Sequence, residues 1–207
     1  MRLNGTTTLI ATLFAASLPF LLHFTPPVLA IAEQAPTYAA NGDLLPVGNY
    51  REWIYLTAGI DMSYSPKPAD MTMFDNVFVN LDAYRNFLTT GTWPDKTILV
   101  LEVREAKSMG SINQHGQFQG TQLMGFEVHV KDESRFPGKW AFFDFDSPDK
   151  NGTLIPRGAP CYSCHAAHGA VDTTFVQFYP TLLPIAEAKK TLSAAYLKDE
   201  AAAAQAR

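Results

Sequence analysis

The period of apolar and polar positions changes several times along the 207-residue chain, and each change marks an element. Residues 97–104 (Thr-Ile-Leu-Val-Leu-Glu-Val-Arg) form the strongest strand signal, rich in β-branched residues with no breaker among them. Period-two geometry sets Leu99, Leu101 and Val103 on one face and Ile98, Val100 and Glu102 on the other. Residues 74–80, 123–131 and 140–146 read as three further strands. Residues 81–90 switch to helical spacing through Leu81, Tyr84, Phe87 and Leu88, and Gly91 ends the helix. Asn49 and Glu52 stand in the N-cap and N3 relation of a capping box, which predicts a helix through Trp53, Ile54 and Leu56 to Gly59. Segments 33–46, 61–70, 108–121 and 147–160 collect Pro, Gly and polar residues and read as a lead-in and loops. A short helix follows His165, then an extended run over 174–179. A last helix starts at Pro184, with Ile185, Leu192 and Tyr196 in one stripe. There is no internal repeat. The pattern predicts an α+β fold, mainly β, with an antiparallel sheet core and peripheral helices.

The N-terminus follows a different logic. Arg2 precedes an uncharged apolar stretch from Leu9 to Phe24, followed by Pro26-Pro27 and the small residues Ala30 and Ala32. A positive start, a short apolar core and an A-x-A-like end make residues 1–32 a secretory signal peptide, cleaved after Ala32 or alternatively after Ala30. Pro19 and His23 make it a poor membrane span, so the alternative of an anchor helix is the weaker one. Residues 33–207 are then a single domain, long enough to bury a substantial core. The chain has 16 basic and 20 acidic side chains. Losing Arg2 leaves 15 against 20, a net of −5. No basic run occurs, which argues against a nucleic-acid partner.

The candidate chemistry lies at Cys161-Tyr162-Ser163-Cys164-His165, where both cysteines of the chain occur. C-x-x-C-H is the attachment pattern of a c-type haem. Two thiols three positions apart, on a turn entering a helix, can each form a thioether to one vinyl group. The next residue then brings its imidazole beneath the ring as axial ligand. Cys161 and Cys164 are the expected anchors of one haem c, and His165 is the expected metal ligand, on a helix near the C-terminus. A redox disulfide and a zinc site are the competing readings. The first lacks a preceding βαβ pattern. The second lacks further Cys or His at ligand spacing, since His168 alone does not complete a set. Because c-type haem is attached outside the bacterial inner membrane, motif and signal peptide together point to the periplasm.

The sixth iron position separates an electron carrier from a site that binds small molecules. No methionine follows His165, and His168 shares the helical face of His165, so it cannot reach the opposite side of the ring. Met109, His115, Met124 and His129 are the upstream candidates. Each has a plainer reading: loop residues for Met109 and His115, core for Met124, and the polar strand face for His129. The simplest expectation is an open or water-bound iron.

Taken together, several segments resemble the cytochrome P-460 family, which includes cytochrome c′-beta. They are Asn49-Tyr50-Arg51-Glu52-Trp53, Val77-Phe78-Val79-Asn80, Lys131-Asp132 with Arg135-Phe136, and Trp140-Ala141-Phe142. The closest are Cys161–His165 and Phe175-Val176-Gln177-Phe178-Tyr179-Pro180. The resemblance implies a β-rich periplasmic homodimer with one c-type haem. In P-460 proper, a strand lysine cross-links to the porphyrin and polar distal groups support hydroxylamine oxidation. In the c′-beta branch an apolar, phenylalanine-lined pocket binds nitric oxide. Here Leu101 takes the lysine position, and a distal arginine of the oxidising branch falls near Asp75, beside Phe74. Leu99 and Val103 would join Leu101 in an apolar wall, completed by Phe74, Phe78, Phe126, Phe143 and Phe145. Asp75 or Asp144 would change that picture by facing the iron. The expectation is a periplasmic cytochrome with an open, largely apolar distal site for small nitrogen oxides such as nitric oxide. The alternatives are an oxidoreductase acting on hydroxylamine or nitric oxide, and an electron-transfer cytochrome with a periplasmic redox partner.

Overall fold

The computed structural model describes residues 35–63 and 70–205. The expected signal peptide and most of the 61–70 loop lie outside the described residues. Six strands, β1 (Ile54–Ile60), β2 (Met73–Val79), β3 (Ile98–Lys107), β4 (Phe118–Lys131), β5 (Trp140–Asp144) and β6 (Thr153–Leu154), pair in chain order into one antiparallel sheet. Four helices are peripheral to it: α1 (Leu81–Thr90), α2 (Pro160–His168), α3 (Leu183–Lys189) and α4 (Ala194–Gln205). The fold is α+β and mainly β, as the pattern predicts.

Each face of the sheet buries its own cluster. On one face Ile98 and Val100 of β3 pack with Phe78, Phe126, Val128, Val130 and Phe143 beneath the N-terminal segment carrying Leu44 and Trp53. On the other, Val79 and Leu99 pack against Ala83 and Phe87 of α1, with Trp93, Val176, Leu182 and Ala186. The alternation along β3 thus divides its side chains between two cores, and each large side chain fully buried there contributes about 2–3 kcal/mol. α1 ends where the spacing predicts. Gly91 takes the left-handed φ of 75° and its N–H reaches the Phe87 carbonyl at 2.7 Å.

Four local expectations are corrected. The capping box does not open a helix. Asn49 has a φ of 40° and makes no side-chain cap, and only Tyr50–Glu52 form a 3-10 turn before β1 begins. A bulge between Tyr55 and Thr57 shifts the register with β2. Trp53 is buried in the cluster on one face and Leu56 in the cluster on the other, and the bulge returns Gly59 to the cleft face, so their three-residue spacing imitates a helix. The run expected to be extended over 174–179 contains a 3-10 turn at Val176–Phe178. The single last helix is two, broken at Lys190 with φ 60°. There Thr191 bonds the Gly91 carbonyl at 2.7 Å, tying the break to the end of α1. β4 also starts five residues earlier than its apolar run, because Phe118 and Gln119 pair with Lys107 and Ala106.

Candidate haem site

The helix-covered face of the sheet carries a cleft whose floor is a lattice of cross-strand neighbours. Thr57, Val77, Leu101 and Glu127 form one row across β1 to β4. Asp75 and Val103 begin the next row on one side; Val79, Leu99, His129 and Phe142 form the row on the other. Neighbours in a row are about 4.8 Å apart across the strands, so the side chains make a continuous surface. The opposite wall is Thr174, Phe175, Phe178 and Tyr179, and Met62 stands at the rim. The cleft is partly open to solvent and has a cavity volume of about 150 Å³.

His165 enters this cleft from α2. Pro160 at the first helical position pre-sets the backbone, and both following cysteines are free thiols, Cys161 exposed and Cys164 half-buried. Nδ1 of His165 lies 2.8 Å from the Thr173 carbonyl oxygen, which fixes the proton on Nδ1 and leaves the Nε2 lone pair available. The ring stacks on Phe175 at 4.2 Å between centroids and touches Phe142 at 4.7 Å. Burial, assisted by neighbouring His129, pushes His165 down to about 4. The imidazole is therefore neutral at ordinary pH, the form that binds a metal. Cys164 lines an adjoining groove that shares Phe175 and Phe178 with the cleft.

The family model for cytochrome P-460 matches residues 47–176, well over half of the chain. The chain belongs to the cytochrome P-460 family. It is a haem cytochrome, and its family holds haem covalently. A search of curated proteins returns no match. The donor set fits such a group: a neutral buried imidazole with its second nitrogen already hydrogen-bonded, two free thiols one turn away, and an aromatic and aliphatic slot. Among the described residues no three or more Cys, His, Asp or Glu are disposed to hold a bare metal ion.

The structure brings some of the expected site residues together and separates others. Leu101 and Asp75 line the cleft with His165, as does Leu99. Phe126, 1% exposed, lies on the far face against Tyr50 and Phe145. Phe74, Phe78, Phe143 and Phe145 also fall outside the cleft lining, so the expected phenylalanine wall is not built from these five. The period-two pleat explains it, because Asp75 and Val77 face the cleft and their neighbours Phe74 and Phe78 must face away. Phe142, Phe175 and Phe178 supply the aromatic contacts instead. His129 lies on the cleft face, 5.0 Å from the His165 ring in edge contact. Met109 (78% exposed), Met124 and His115 lie outside the cleft.

The cleft is less uniformly apolar than expected. Glu127, directly opposite Leu101, lines it together with His129 two positions on. His129 Nε2, 3.8 Å from Glu127, holds that carboxyl below the usual range. Burial, with Asp61 and Glu127 nearby, pushes Asp75 up to about 6. Two carboxylates with opposite shifts therefore flank an aliphatic centre.

Proposed function

We propose that this cytochrome carries a single haem c, held by Cys161 and Cys164 with His165 as iron ligand, and that its cleft takes up small nitrogen oxides such as nitric oxide. The observation that carries the reading is the juxtaposition of His165 and Leu101 in one cleft. The imidazole is ready to ligate, and the position where the oxidising branch has its lysine offers no amine for a cross-link. Haem bound there supplies an iron position for a small ligand, whose fate depends on the polarity around it. Phe142 and Phe175 hold the imidazole plane. Val77, Leu99 and Leu101 exclude water from the centre and disfavour charged ligands, and Thr57 supplies a hydroxyl at the edge.

A second reading is favoured by Asp75 and Glu127. Titratable groups whose environments push their carboxyls apart are suited to accepting and delivering protons, which hydroxylamine oxidation needs. An electron carrier is the least supported, since its expected sulfur ligands lie elsewhere; it would rest on Met62, the methionine that lines the cleft.

The same proposal places the protein in the periplasm after export by residues 1–32. No described helix is long and apolar enough to cross a membrane. A homodimer is part of the proposal, supported by the outer edge of β1, where Tyr55 is 52% and Ile60 49% exposed. The test is the optical spectrum of the purified protein, oxidised and dithionite-reduced, with a pyridine haemochrome assay and nitric oxide titration. A high-spin ferrous spectrum, a normal c-type haemochrome and saturable nitric oxide binding are expected. A low-spin ferrous spectrum indifferent to nitric oxide would refute the reading. A red-shifted ferrous band would move hydroxylamine oxidation to first place.

A further inference from the structure

Asp172 and Thr173 are consecutive non-glycine residues in left-handed backbone, with φ of 49° and 62°. They sit between Val171 and Thr174, which form an isolated antiparallel bridge. The Thr174 N–H reaches the Val171 carbonyl at 2.8 Å, and the Val171 N–H reaches the Thr174 carbonyl at 3.3 Å. This is a two-residue turn of the type I′ kind, which requires positive φ at both central positions and normally uses Asn-Gly. A β-branched threonine there is strained, and such strain persists only where the surroundings over-determine it.

Three contacts do so. Lys131, at the end of β4 and 5% exposed, places Nζ 2.5 Å from the Asp172 carboxylate and 2.7 Å from the Trp93 carbonyl, with Glu133 at 3.5 Å. Thr174 accepts from the Trp93 indole at 2.7 Å and donates to the Val171 carbonyl at 2.7 Å. Gly169, at the end of α2, lies so close to Thr173 that an added Cβ would stand 2.7 Å from its carbonyl carbon. The Thr173 carbonyl oxygen of this turn is bonded to Nδ1 of His165.

We propose that Lys131 is a positioning residue for His165: by clamping Asp172 it holds the strained turn whose Thr173 carbonyl accepts the Nδ1–H, and so sets the orientation and basicity of Nε2. The inference rests on the reading of His165 as iron ligand. A hydrogen bond of this kind is the usual means by which a protein tunes a metal-bound imidazole, and here it depends on a lysine 34 positions upstream on another element. An ordinary buried ion pair would contribute stability alone, and the two roles can be separated.

The experiment compares wild-type holoprotein, Lys131→Met, and Lys131→Met combined with Asp172→Asn and Thr173→Gly. The readouts are the iron–histidine stretch in the resonance Raman spectrum of the ferrous protein and the midpoint potential. Lys131→Met is expected to lower the stretching frequency and raise the potential, because a loosened acceptor leaves a less basic imidazole. The triple variant is expected to restore both, since Asn-Gly adopts the turn without a clamp. Should Lys131→Met not fold, Asp172→Ala removes the same clamp from a residue whose side chain is 27% exposed and should shift both readouts the same way. Unchanged frequency and potential in either folded variant, or failure of the Asn-Gly turn to restore them, would overturn the proposal. A wild-type spectrum lacking an iron–histidine band would overturn the ligand reading itself.

Discussion

Glu102 is wholly buried on the face of β3 opposite the cleft, one residue from Leu101. Its carboxylate accepts from Tyr50 Oη at 2.5 Å, from Arg104 Nε at 2.8 Å and Nη2 at 3.1 Å, from Arg51, and from Asn76 at 3.4 Å. One buried anion therefore ties the 3-10 turn before β1, together with β2, to the centre of the sheet. Breaking a buried charged pair typically costs about 3–5 kcal/mol. Both guanidinium groups retain solvent access, with side chains 52% and 20% exposed, so neither is stranded and the lower end applies. Glu102→Gln is expected to destabilise the protein by about 3 kcal/mol, a large part of the roughly 5–15 kcal/mol of a typical domain. At about 2–4 °C per kcal/mol for this size, the melting temperature should fall by about 6–12 °C. The pH dependence has a definite sign. Arg104, Tyr50 and Arg51 outweigh burial and hold the Glu102 carboxyl below its ordinary value of 4.5. Its contribution is fully present above that value and is lost as pH falls through the lower folded one. Urea unfolding of both holoproteins between pH 3 and pH 8 provides the assay. A difference below about 0.5 kcal/mol at pH 7, or one that grows on acidification, would show that the carboxylate does not hold these elements together.

Asp75 has the opposite sign. With its carboxyl pushed up to about 6 by burial, the folded protein keeps a proton that the unfolded chain releases, so stability falls as pH rises from about 4 to 6. Asp75→Asn should therefore stabilise by about 2 kcal/mol at pH 7 and by nothing below about pH 4; equal effects at both in urea titrations would contradict this. Gly169→Ala should cost about 1–3 kcal/mol, because the new Cβ meets the backbone of both His165 and Thr173 at 2.7 Å, and an unchanged thermal midpoint would show that the turn yields freely. Leu101→Lys places an amine directly opposite Glu127 in the cleft. If the site resembles that of the oxidising branch, the reduced spectrum should shift to the red and the pyridine haemochrome should become abnormal, whereas an ordinary c-type haemochrome would count against that register.

The sequence by itself determined the parts whose physics is local. α1 follows from four apolar residues at helical spacing and a glycine able to take positive φ. The two faces of β3 follow from the pleat. The placing of two thiols and an imidazole on one turn of helix follows from the spacing of Cys161, Cys164 and His165. Leu101 and Asp75 were assigned to the cleft by family register, and the strand order brings both to it. Tertiary structure decided whatever depended on a partner strand or a distant contact. Pairing with β2, through a bulge at Leu56, turned an apparent helix into β1. The pleat sent Phe126 and Phe74 away from the cleft and brought Glu127 and His129 into it, which no periodicity could settle before the strand order and the covered face were known. The Thr173 carbonyl is the clearest case. Asp-Thr is a poor turn on its own, and only Lys131, Trp93 and Gly169, remote in sequence or on other elements, make its strained backbone the one that meets His165.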